Sequence, residues 1–107
     1  MDNSELNITR HAYIKARIRF NWSKSTLDKM ALRALKDGIH HSDSVGTLKS
    51  YLHKIYRKQM SCNNIRIYGE NVYLFRNNKL VTLYRVENEM TKFIKAHKRK
   101  KINNGNK

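Results

Sequence analysis

Apolar residues recur every three or four positions in the first half of the chain, and from Asn64 onward they alternate. In residues 10–20, Ala12, Ala16 and Phe20 fall on one stripe, with Tyr13 beside them and Ile14 and Ile18 widening the buried arc; Thr9 stands where an N-cap belongs. The stretch NWSKSTLD interrupts this first helix and starts a second. Ser25 and Asp28 have the spacing of a capping box, and Leu27, Met30, Ala31, Ala34 and Leu35 continue the stripe to Asp37. Gly38 is expected to close that helix as a left-handed cap. After IHHSDSVG, expected to be a loop, Leu48, Tyr51, Leu52, Ile55 and Tyr56 predict a third helix over residues 47–59.

The later period of two predicts strands over residues 65–69, 72–76 and 80–86. The connections at 69–71 and 77–79 are short enough to make them antiparallel neighbours. Met90, Phe93 and Ile94 predict a last helix over residues 88–97 with Asn88 as its cap. The expected fold class is therefore α+β: three N-terminal helices packed on a three-stranded antiparallel meander, then a short C-terminal helix and a basic tail. Residues 1–97 form one compact domain with the first eight frayed, and residues 98–107 read as a basic flexible tail.

Alternation gives the sheet two unlike faces. Ile65, Ile67, Val72, Leu74, Val81 and Leu83 make an aliphatic side for the helices; Arg66, Tyr68, Tyr73, Phe75, Thr82 and Tyr84 make the other. That second side is either an open platform on which unpaired bases stack or a core wall covered by the last helix. The wall is the favoured reading, with its rim left for phosphates.

Charge bears on the partner. The 107 residues hold 23 Lys plus Arg against 8 Asp plus Glu, a formal +15. A compact chain so cationic repels itself, and a polyanion relieves that repulsion. A composition rich in Lys, Asn and Ile also fits an AT-rich genome, although that bias would raise the acids as well. There is no run of about 18 apolar residues to span a membrane. The polar start MDNSELNITR is unlike a signal peptide. The single cysteine, Cys62, excludes an intrachain disulfide framework and fits a reducing cytoplasm, where it is expected to be a small buried or half-buried residue.

Few residues suggest catalysis. His40, His41 and Asp43 are adjacent in sequence, but no Cys or His pair follows at zinc spacing, so no metal is expected; their imidazoles are a weak phosphate site. Six of the acids have cap or surface explanations, which leaves Asp43 and Glu70, too few for two-metal chemistry. No cofactor is implied, since phosphate-loop and dinucleotide fingerprints are absent.

These features point to a cytoplasmic nucleic-acid-binding protein of a phage or mobile element, gripping phosphates, with RNA favoured over DNA. The contact residues are Lys49, His53, Lys54, Arg57 and Lys58 on the third helix, Arg66, Tyr68, Tyr73 and Arg76 on the sheet, and Lys98, Arg99, Lys100 and Lys101 in the tail. A winged-helix DNA-binding regulator is a rival architecture, with the third helix as recognition helix. The layout of RHAYIKARIRF on an N-terminal helix, followed by a meander ending in LVTLYRV, resembles the small basic folds of the barnase, colicin and bacterial messenger-RNA interferase group. It also resembles phage and prophage proteins in which a His-Ala helix precedes an NIRIYG strand, over roughly residues 8–86. The ribonuclease resemblance implies a metal-independent endoribonuclease with His11 and Arg17 or Arg19 on the helix and Tyr84 and Arg85 on the strand. A third class is a phage inhibitor of a host nucleoprotein complex, of the anti-CRISPR type. A charge of +15 excludes an acidic DNA mimic there.

Overall fold

A computed structural model describes residues 6–59 and 61–105, with side chains described as far as Lys98. In chain order the elements are β1 (Asn7–Ile8), α1 (Arg10–Phe20), α2 (Lys24–Asp37), β2 (Ile39–His40), a 3-10 turn (His41–Asp43) and α3 (Gly46–Lys58). They continue with β3 (Asn64–Tyr68), β4 (Asn71–Arg76), β5 (Lys79–Arg85), a second 3-10 turn (Asn88–Met90) and α4 (Thr91–Gly105). The fold is α+β, with four helices around a five-stranded mixed sheet of order β1-β5-β4-β3-β2. The expected meander is its centre, β3 to β5. Two further strands of two residues each close the edges, β1 parallel to β5 and β2 antiparallel to β3.

The Thr9 cap forms as expected. Its hydroxyl accepts from the Ala12 N–H at 3.1 Å and donates to the Val81 carbonyl at 3.1 Å, so one side chain both starts α1 and ties it to β5. Ala12 and Ala16 are buried, and their small size lets α1 lie close on β5; Ile14 and Ile18, expected inside, are instead exposed. Asn21 closes α1 in the left-handed region at φ 57, its N–H reaching the Arg17 carbonyl and the Trp22 N–H that of Ala16. The cap of α2 is Ser23 rather than Ser25, since the Ser23 hydroxyl accepts from the Thr26 N–H at 3.2 Å. Gly38 is not a left-handed cap: its φ is −67. Glycine is needed there for space, because a Cβ would collide with the Ala34 carbonyl oxygen and stand 3.0 Å from the Arg66 Cβ.

The helices do not form one layer. α1 and α2 pack on one face of the sheet, burying Leu27, Ala31, Ala34 and Leu35 against Tyr73, Phe75, Leu80 and Leu83. α3 and α4 pack on the other, where Leu48, Leu52, Ile55 and Ile94 meet Ile65, Ile67, Val72 and Leu74. A bulge in β5 explains why the expected faces mix. Leu74 pairs with Thr82 and Phe75 with Leu80, leaving Val81 as the extra residue. Leu80 and Leu83 therefore join Phe75 and Tyr73 under α1 and α2, while Tyr84 stands opposite Val72 and packs on the α3–α4 side. The aromatic face is a core wall, as favoured, but α1 and α2 cover it rather than the last helix.

α4 extends past the expected end of the last helix to Gly105, into the stretch expected to be a tail, and a 3-10 turn precedes it where Asn88 was expected to cap it. No helix among the described residues is long and apolar enough to cross a membrane.

Candidate nucleic-acid interface

Because α3 buries Leu48, Leu52 and Ile55, with Tyr51 and Tyr56 half-buried beside them, the opposite side of the helix faces outward. Lys49, His53, Lys54, Arg57 and Lys58 are all exposed, as expected. Lys49, His53 and Arg57 follow one another at four-residue spacing and border, with Gly46 and Ser50, a shallow depression of about 320 Å³. The helix contains no acid. Among the described residues the one ion pair joins Arg85 to Glu70 at 2.9 Å, so none of the α3 cations is neutralised by a carboxylate. On the same side of the sheet α4 exposes Lys92, Lys95 and Lys98; Lys95 and Lys98 line a smaller hollow with Glu70 and Thr91. Arg99, Lys100 and Lys101 continue the helical backbone, and their side chains lie outside the described residues.

The sheet residues expected to bind fare differently. Tyr73 is fully buried and so is no contact residue; burial pushes its hydroxyl up to about 12. That hydroxyl has no hydrogen-bond partner of good geometry, although the Asn71 amide is near it. An unpaired buried hydroxyl costs about 1–3 kcal/mol. Arg66 is half-buried and already engaged, donating from Nη1 to the Gly38 carbonyl at 3.2 Å and from Nε to Asn64 Oδ1 at 3.0 Å. Burial lowers its pKa, against an opposing pull from Asp43. It acts as a brace between α2 and β3 rather than as a free cation. Tyr68 is half-buried, and Arg76 is exposed at the end of β4 beside the left-handed Asn77. With Tyr73 and Phe75 covered, the sheet offers no aromatic platform, and the argument for RNA over DNA loses its surface.

The residues implied by the ribonuclease resemblance are divided: Arg19 and Arg85 border one cleft, and the Arg19 charge bears on Tyr84, but His11 and Arg17 stand apart from them. His11 and Arg17 are exposed on α1, on one side of the sheet, whereas Tyr84 packs against the α3–α4 layer on the other. Burial holds the Tyr84 hydroxyl up at about 12, and Arg85 turns to Glu70. The winged-helix arrangement fails on the same division, since the sheet separates α3 from α1 and α2.

His40 and His41 stack with ring centroids 4.4 Å apart, and His41 also stacks on Tyr56 at 5.5 Å. Burial, then the charges of Arg66 and His41, lower the His40 pKa against a pull from Asp43, and its Nδ1 faces the Ser42 hydroxyl at 2.6 Å. A neutral imidazole tied to its own loop is a poor phosphate ligand. Among the described residues no three His, Cys, Asp or Glu side chains group as a metal site would. Cys62 is buried, as expected, and burial pushes its thiol up.

One feature had only a faint signal in sequence. Phe20 and Trp22, with centroids 4.9 Å apart, border a cleft at the end of the sheet together with Tyr68, Asn71, Arg19 and Arg85. The sole tryptophan in a segment that breaks a helix was the hint.

Fold and surface together define a class: an α+β protein with a mixed sheet between two helical layers and an unpaired cationic outer helix. The chain matches no family model, and no curated protein or solved structure was found similar to it.

Proposed function

We propose that the protein binds nucleic acid through its phosphates, with the outer face of α3 as the principal contact. The observation that carries this reading is the row of exposed Lys49, Lys54, Arg57 and Lys58 on a helix without a carboxylate and without an ion pair among the described residues. Cations held so close repel one another, and a polyanion converts that repulsion into binding through counterion release. The 13 residues of α3 span roughly 20 Å, over which duplex DNA presents roughly a dozen phosphates. His53, exposed on the same helix, adds a further donor. Lys92, Lys95 and Lys98 of α4 extend the cationic surface on the same side of the sheet.

The test is anisotropy of a labelled duplex DNA and a labelled single-stranded RNA against the wild type and a Lys49→Glu/Arg57→Glu variant. Both positions are exposed, so the variant keeps its circular dichroism spectrum. Its affinity for each probe falls about tenfold or more at roughly 0.1 M salt. Unchanged affinity in a folded variant removes α3 as the interface.

A further inference from the structure

We propose that the cleft between the C-terminal end of α1 and the β3–β4 turn holds one unpaired nucleotide of a nucleic-acid strand. This rests on the reading of α3 as a phosphate-binding surface and adds a site of different chemistry to it. The cleft measures about 600 Å³, within the range of small-ligand sites. Phe20, Trp22 and Tyr68, all half-buried, line it. A base stacks on such rings whatever its identity, because every base has a π-face. Asn71, also lining the cleft, carries the donor and the acceptor that the edge of a base requires.

Two guanidinium groups complete the site. Arg19 is fixed by donating from Nη1 to the Leu83 carbonyl at 2.7 Å, and its remaining N–H groups are left for a phosphate. Arg85 is held by Glu70, the one carboxylate among the lining residues. Aromatic rings, an amide and two arginines within one cleft match a base with its phosphate. A base stacked inside a duplex cannot reach such rings, so the occupant is unpaired.

A free mononucleotide shares this chemistry, and the experiment separates the two. Trp22 is the only tryptophan and borders the cleft, so its emission responds to an occupant there. The protein is titrated with single-stranded oligouridylate, a blunt duplex and uridine monophosphate, and binding is followed in parallel by anisotropy of labelled probes. Oligouridylate is expected to quench Trp22, the duplex to bind without quenching, and the mononucleotide to act only at far higher concentration. Arg85→Ala weakens oligouridylate about tenfold, the scale of one charge-assisted contact, and leaves the duplex affinity unchanged. Glu70→Gln, which removes the competing carboxylate, tightens oligouridylate binding. Equal quenching by the duplex, or binding of both probes with no change in Trp22 emission, overturns the cleft while sparing α3. Quenching by the mononucleotide at oligonucleotide concentrations overturns the assignment to a strand. Absence of all binding removes the α3 reading as well.

Discussion

Replacing Gly38 by alanine separates two opposed effects. At φ −67 and ψ 153 the backbone is one that any residue adopts. Glycine to alanine at a compatible site normally stabilises by about 0.4–1 kcal/mol, through the unfolded chain. Here the new Cβ would collide with the Ala34 carbonyl oxygen, which accepts the Gly38 N–H at 2.9 Å, and would stand 3.0 Å from the Arg66 Cβ. Neither neighbour is a flexible tip: one is helix backbone and the other is the root of a side chain that braces β3. Either the last turn of α2 opens or β2 moves off β3. Overpacking of this kind costs about 1–3 kcal/mol, so the net expectation is a loss of about 1–2 kcal/mol. Urea unfolding followed by circular dichroism measures it as a lower midpoint at unchanged slope. A raised midpoint would refute the close approach of α2 to β3. Gly46→Ala is the control, with φ +61 and nothing within 4 Å of the new Cβ. It loses about 1 kcal/mol from backbone conformation alone.

Burial pushes the hydroxyls of Tyr73 and Tyr84 up to about 12, and a hydrogen bond to Asp28, with burial, does the same for Tyr13. Folding thus favours the protonated phenols, so their stabilisation is complete below pH 10.0, the ordinary value, and is lost as the pH rises through about 12. A urea midpoint that stays level across this window would contradict the burial of Tyr73 and Tyr84. The lowered pKa of His40 works in the other direction: its stabilisation is complete above the ordinary value of 6.5 and is lost as acid protonates it, which an NMR titration of its ring protons checks. Arg66→Ala leaves the Gly38 carbonyl and Asn64 without their donor. It lowers stability by about 1–3 kcal/mol while leaving nucleic-acid affinity in place; lost affinity with intact stability would return Arg66 to the binding surface.

Long periodic elements were legible in the sequence because each repeats its signal over several turns or pleats. α3 is the clearest case: its buried Leu48, Leu52 and Ile55, and the cations between them, all stand where the 3.6 period puts them. β1 and β2 were not legible, since two residues carry no period, and β1 pairs with a strand about seventy positions away in the chain. The narrowness of the buried stripe of α1 was hidden for a different reason. Alanine and isoleucine both count as apolar, yet close packing on β5 selects Ala12 and Ala16 and leaves Ile14 and Ile18 outside. The bulge at Val81 likewise left no mark in the alternation, although one inserted residue moves Leu83 and Tyr84 to faces opposite those expected. Tyr73 and Phe75 are lost as stacking residues because α1 and α2 cover them, and the bulge carries Tyr84 to the α3–α4 side. The cationic stripe depends on one helix only and so was readable.

Salt dependence of the affinity is the decisive quantity. Anisotropy of a labelled duplex, measured across a series of potassium chloride concentrations, gives the slope of log affinity against log salt. Phosphate contact through α3 and its neighbours predicts a slope of about −5 to −7, the value for five to eight contacts, flattened by about 2 in the Lys49→Glu/Arg57→Glu variant. A slope near zero, or a slope the variant leaves unchanged, would contradict it.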